Sequence, residues 1–230
     1  MKDLTLTEIE KDSEAIVLLH GLKRTRHSMD KAGRVLADYG YKIINVGYPS
    51  TEQAVETLAL QCIGNALREC EAAEVGRIHF LTHSLGGILV RYYLSVEPIE
   101  KLGRVVMLAP PNRGSEIVDK LGGWRLFYLI NGPAGLQLGT DHDSLPNRLG
   151  RVEFEAGVIA GDKTVNPLLS LLFQEANDGK VAVNRTQVEG MRDFIVLPYS
   201  HTFIMRREQV IRQALHFIQQ GRFVQYTDYC

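Results

Sequence analysis

Cysteine is scarce in this chain. Cys62, Cys70 and Cys230 form no C-x-x-C pair and no regular framework, which argues against a disulfide-stapled scaffold and a thiolate metal site. Cys62 and Cys70 share one apolar helical stripe and read as buried thiols. Excess charge is equally scarce: the formal net charge is -1 and no basic block stands out, so nothing suggests a surface that tracks nucleic acid. Long apolar runs are absent. The aliphatic run at 15–19 falls far short of the roughly 20 residues that cross a bilayer, and Met1-Lys2-Asp3-Leu4-Thr5 lacks the apolar region of a secretory signal. A cytoplasmic protein without a transmembrane segment is expected. There is no H-E-x-x-H and no dinucleotide fingerprint, and Gly86-Gly87 is followed by Ile88 where a phosphate-binding loop needs Lys and Ser/Thr; no metal or organic cofactor is expected. What is present is a 45% hydrophobic composition over 230 residues, enough for one sizeable core and short for two, so residues 1–230 are expected to form one domain.

The order of the apolar runs sets the architecture. Residues 4–8 alternate apolar and polar side chains, as an edge strand does. Residues 15–19 are continuously apolar, the mark of a parallel strand covered on both faces, and end at His20-Gly21-Leu22. Ser28 offers an N-cap for a helix whose face runs through Met29, Ala32, Val35, Leu36 and Tyr39, closed by Gly40. A strand over 42–46 follows, stopped by Gly47-Tyr48-Pro49-Ser50. Thr51 can cap a second helix with Val55, Leu58, Ala59, Cys62, Ile63, Ala66, Leu67 and Cys70 on one stripe. Strands are expected over 78–81, 104–109, 154–160 and 194–197, with helices over 88–95 and 166–173 and a closing helix through Val210 and Ile218 that Gly221 ends. This alternation predicts an α/β fold, a mostly parallel central sheet of about six strands with helices on both faces. Ligands of such sheets bind outside the carboxyl ends of the strands, where His20-Gly21-Leu22, Ser84 and Pro110-Pro111 all fall. Residues 112–150 break the rhythm and are predicted to be a cap or lid inserted over that edge. Its run Trp124-Arg125-Leu126-Phe127-Tyr128-Leu129-Ile130 suggests an acyl-binding wall, with Trp124 and Phe127 as candidate substrate contacts; the alternative is a helix packed on the domain with no substrate role.

One stretch carries chemistry. In Ile78-His79-Phe80-Leu81-Thr82-His83-Ser84-Leu85-Gly86-Gly87 an apolar strand runs into a serine and a helix follows at once, the layout of a nucleophile elbow. Gly86 meets the demand for a small residue two places on. Thr82 stands where the pattern usually has glycine, and its β-branch crowds the turn. A serine hydroxyl is a poor nucleophile, so Ser84 needs a base and a carboxylate to orient it, following in the order acid, then histidine. His20, His27, His79 and His83 precede the serine, His83 pointing away from it; His142 lies in the insertion and His216 inside the last helix. His201, between the last strand and the last helix, is the candidate base. Asp162, directly after a strand, and Asp178, in an Asn-Asp-Gly turn ahead of a strand-like Val181-Ala182-Val183, compete for the acid, with Asp193 third. The backbone N–H groups of Leu85 and Leu22 are the candidate oxyanion donors, and Gly21 lets the chain approach the reacting carbonyl.

Together these motifs resemble the α/β-hydrolase superfamily, in particular its lipase-like branch of bacterial lipases, palmitoyl-protein thioesterases and GPI inositol-deacylases. The likeness runs through His20-Gly21-Leu22, His83-Ser84-Leu85-Gly86-Gly87, Ala109-Pro110-Pro111-Asn112-Arg113-Gly114-Ser115, Asn177-Asp178-Gly179 and Ser200-His201. It implies a serine hydrolase of carboxylic esters with Ser84, Asp178 and His201 as the catalytic set, because lipases often carry the acid in an Asn-Asp-Gly turn followed by valines. A small-molecule ester or acyl substrate is implied as partner. A thioesterase or acyltransferase using the same residues, or a binding protein that keeps the fold without turnover, are the rival readings. The calcium site of some bacterial lipases has no assignable counterpart.

Overall fold

A computed structural model describes residues 14–123, 125–165, 173 and 175–225, with the backbone alone for 125–128. Its centre is a sheet of six parallel strands: β1 (Glu14–Leu19), β2 (Lys42–Val46), β3 (Arg77–His83), β4 (Leu102–Leu108), β5 (Ala156–Gly161) and β6 (Asp193–Leu197), in the order β2-β1-β3-β4-β5-β6. Helix α1 (Asp30–Asp38) links β1 to β2, α2 (Val55–Ala72) links β2 to β3, and α3 (Leu85–Val96) links β3 to β4. Between β4 and β5 lie α4 (Glu116–Leu121), α5 (Arg125–Leu136) and α6 (Leu145–Arg148); α7 (Val183–Thr186) precedes β6 and α8 (Glu208–Gln220) closes the chain.

Period-two alternation divides the core between the two faces of the sheet. Val17, Leu19, Phe80, Val105, Met107 and Val158 face α2 and α3, meeting Leu58, Ile63, Ile88 and Leu89. Ile16, Leu18, Leu81, Val106, Leu108 and Ile159 face α1 and α8, meeting Leu36, Ile211, Phe217 and Ile218. Helices on both faces are what continuous apolar strands require. The strand order turns back at β1, which has β2 on one side and β3 on the other. The carboxyl ends of β1 and β3 therefore open a crevice, the place such sheets offer a ligand.

Several local expectations are corrected. Ser28 caps no helix: it lies in a 3-10 turn, Arg26–Met29, and its hydroxyl donates to Thr25 O at 2.8 Å, while α1 begins at Asp30. Thr51 does not cap α2, which starts four residues later at Val55; that first N–H donates to the Gln137 side-chain oxygen at 2.8 Å. Residues 181–183 make no strand. The N–H groups of Lys180 and Val181 are taken by Asp178 Oδ1, which removes them from any ladder, and α7 begins at Val183. The strand predicted from 154 begins at Ala156. The expected edge strand at 4–8, and all of the expected helix at 166–173 except Phe173, lie outside the described residues. Burial pushes the Cys62 thiol up to about 12 and the Cys70 thiol up to about 11, so both stay protonated and act as small apolar side chains.

Candidate active site at the carboxyl edge of the sheet

Strand β3 ends at His83 and α3 begins at Leu85, so Ser84 alone makes the turn. It does so at φ 52° and ψ -117°, a left-handed conformation that costs a side-chain-bearing residue roughly 1–3 kcal/mol and persists only where its surroundings hold it. Its N–H donates to Leu108 O at 2.9 Å and its carbonyl accepts from Gly87 N at 3.0 Å. Gly86 is required by close approach: a Cβ there would stand 2.7 Å from Leu19 O and 2.9 Å from Leu19 Cβ. Thr82 is fully buried in β3, its hydroxyl 3.5 Å from Val106 O, so its side chain packs within the sheet.

The turn raises the Ser84 hydroxyl towards His201, whose Nε2 lies 3.0 Å from Ser84 Oγ. His201 Nδ1 is 2.8 Å from Asp178 Oδ2. A carboxylate only accepts, so Nδ1 carries the proton and Nε2 is free to accept from the serine. Asp178 reaches this position from the loop after β5. Its Cβ packs over the end of that strand, 3.1 Å from where Gly161 would carry a Cβ, and its Oδ1 accepts from Lys180 N at 2.9 Å and Val181 N at 2.8 Å. The carboxylate thus holds three donors while buried. His201 N also donates to Asp178 O at 3.0 Å. Asp162 is elsewhere, 3.7 Å from Lys163 Nζ, and Asp193 accepts from Phe194 N and Phe223 N.

The segment after β1 completes the edge. His20 stacks on Tyr48 with ring centroids 4.0 Å apart, its Nδ1–H donates to Gly21 O, and the Tyr48 hydroxyl donates to His20 O. A Cβ on Gly21 would stand 2.6 Å from His83 Nδ1, so only glycine lets the turn lie beside the elbow. Lys23 N is taken by Ser50 Oγ and Arg24 N by Gly21 O, whereas Leu22 N has no acceptor among the described residues. Leu85 N heads α3, where an N–H has no acceptor within the helix. His83 does not point away from the site, as expected from the sequence. Its Nε2–H donates to His201 O at 3.0 Å, and the two rings lie 4.9 Å apart. Burial, then the neighbouring His201, holds His83 well below the ordinary histidine range, so it stays neutral.

Ser84, His83 and His201 line a cavity of about 270 Å³ walled by Leu22, Pro111, Ile117, Val118, Leu138 and Val181. A larger depression, about 690 Å³ between Tyr39 and α8, contains none of these residues. Helices α4 and α5 supply much of the apolar wall. Trp124 and the side chain of Phe127 lie outside the described residues. Arg91, buried in α3, ties down both ends of the segment 112–150 by donating to Asn112 O and Oδ1, Pro146 O and Gly150 O. It has no carboxylate partner among the described residues, and burial lowers it to about 10, which still leaves it charged at neutral pH. Nothing in the sequence pattern of α3 marks it beyond a cation at an otherwise apolar position. Among the described residues, no three His, Cys, Asp or Glu side chains gather to hold a metal ion, and no helix is long and apolar enough to cross a membrane.

No protein-family model matches the sequence, and no curated protein matches it. Solved structures do. Phospholipase PlaB from Legionella pneumophila is 20% identical, with a TM-score of 0.69 over 84% of this chain and 55% of its own. The lipase BlEst2 of Bacillus licheniformis in its propeptide form is 16% identical, with a TM-score of 0.70 over 93% and 51%. The metagenomic carboxyl esterase MGS0156 is 20% identical, with a TM-score of 0.63 over 83% and 65%. The chain spans about half the length of the first two. At these identities the likeness is one of fold: the chain has the α/β-hydrolase fold.

Proposed function

We propose that this protein is a serine hydrolase of carboxylic esters. The observation that carries the reading is the continuous hydrogen-bond chain Ser84–His201–Asp178, set on a strained elbow at an apolar cavity. In this reading His201 Nε2 takes the Ser84 proton as Oγ attacks the ester carbonyl, and Asp178 holds the imidazole in the accepting tautomer and favours the cation that forms. The N–H groups of Leu22 and Leu85 stabilise the oxyanion, each worth about 3 kcal/mol of barrier. His201 then protonates the leaving alcohol, and water repeats the sequence on the acyl-enzyme. His83 keeps the backbone of His201 in place. Residues 112–150 act as a cap whose apolar wall receives the acyl chain, which favours medium or long chains over acetate. Neighbours of the same fold described as a phospholipase, a lipase and a carboxyl esterase support ester cleavage as the reaction class.

The test is a series of p-nitrophenyl esters and matched thioesters run on the protein and on Ser84→Ala. Ester turnover that rises from acetate to octanoate and falls roughly 10⁴-fold or more in the variant is expected. A fluorophosphonate should label the parent protein and spare the variant. Undiminished turnover in Ser84→Ala would sink the proposal, and a preference for thioesters would redirect it to thioester substrates.

A further inference from the structure

The mouth of the Ser84 cavity has a feature the reaction itself does not use. Lys23, Arg24 and Lys180 all line it, and among the described residues no carboxylate does. Among the described residues none of the three makes an ion pair, and all three keep solvent-accessible surface. They come from two separate segments: Lys23 and Arg24 follow Leu22, and Lys180 follows the Asp178 turn. Desolvation, then the like charge of Arg24, holds Lys180 below the ordinary lysine range, while Asp178 pulls the other way. Lys23 also sits at φ 58° with its N–H held by Ser50 Oγ, a conformation uncommon for a long side chain and concentrated at functional turns. Like charges gathered over an apolar floor with no ion-pair partner among the described residues repel one another, and such a cleft focuses its field on an incoming anion.

We propose that this mouth is an anion subsite, and that the substrates are amphiphilic esters whose leaving alcohol carries a carboxylate or phosphate held by Lys180 and Arg24. The acyl chain then lies along Ile117, Val118 and Leu138. The alcohol side is chosen because His201 must hand its proton to the leaving oxygen, and Lys180 stems from the turn that holds His201. The ester part of this inference rests on the hydrolase reading; the subsite does not.

The experiment compares 3-octanoyloxy-4-nitrobenzoate with the neutral 3-octanoyloxy-4-nitrobenzamide, which release matched nitrophenols. A preference of roughly tenfold in kcat/KM for the anion, expressed in KM, is expected of one or two partly exposed charge-assisted contacts. It should shrink in about 0.5 M salt, and in Lys180→Gln and Arg24→Gln. Octanoylglycerol against octanoylglycerol 3-phosphate distinguishes a phosphate from a carboxylate preference. The non-hydrolysable octyl ethers of the nitrobenzoate and nitrobenzamide, titrated calorimetrically, should show the same preference in Kd. Equal or weaker binding of the anionic ether overturns the subsite. Tighter binding of the anionic ether with no turnover of any ester supports the subsite and overturns the hydrolase reading alone.

Discussion

At the residue scale, Ser84 and its glycines show how little freedom the elbow has. Gly86 faces the backbone carbonyl of Leu19, which cannot give way, whereas a Cβ on Gly87 would meet Met107 Sδ and Pro110 Cβ at 3.2 Å. Methionine yields easily. Gly86→Ala is therefore expected to cost about 1–3 kcal/mol and to weaken fluorophosphonate labelling of Ser84, with Gly87→Ala milder in both respects. Thermal melting and labelling of the two variants side by side check this, and indistinguishable variants would contradict it. The elbow was legible because its demands are local: strand, serine, small residue, helix. The partnership of His83 with the carbonyl of His201 was not, because adjacency in sequence says nothing of what lies across a turn. Thr82 was legible as a departure from pattern, yet only the packing of β3 against β4 explains why it is accommodated.

At the element scale, helix ends reveal what sequence signals leave open. Thr51 reads as the start of α2, but the chain runs on to Val55 before the helix forms, and the cap comes from Gln137 just after α5, whose side-chain amide also donates to Glu56 Oε2 at 2.7 Å. A cap borrowed from 82 residues away leaves no local trace. Gln137→Ala should lower stability by about 1 kcal/mol, a fall of about 2–4 °C in Tm for a chain of this size. Calorimetry reads it, and an unchanged Tm would mean that water or another side chain serves Val55 equally well. The same borrowing fixes the segment 112–150. Arg91 holds its ends through its two terminal nitrogens by four acceptors, each contact charge-assisted, while its buried Nε has no acceptor among the described residues.

At the scale of the whole molecule, three buried histidines couple stability to pH. His20, His79 and His83 all lie below the ordinary histidine range, with burial as the leading cause in each. In the unfolded chain they titrate near about 6.5. Above that pH both states are neutral; as pH falls through it, the unfolded chain takes up protons that the folded protein refuses, and stability declines by at most about 1.4 kcal/mol per pH unit for each group. Urea unfolding at pH 7.5, 6 and 5 should show a midpoint that drops across this window, less steeply in His83→Gln; a flat midpoint would refute the account. The sequence by itself determined the chain order of the six sheet strands, their parallel pairing and the position of the elbow, since periods of 2.0 and 3.6 residues and a strand-to-helix turn are written within a few neighbours. The family resemblance favours Asp178 over Asp162, and the structure brings Asp178 to His201; only the tertiary structure decided that Gln137 caps α2 and that Lys23, Arg24 and Lys180 share one cavity mouth. Those outcomes depend on how separate loops pack over a common sheet edge, and no short-range pattern encodes that distance.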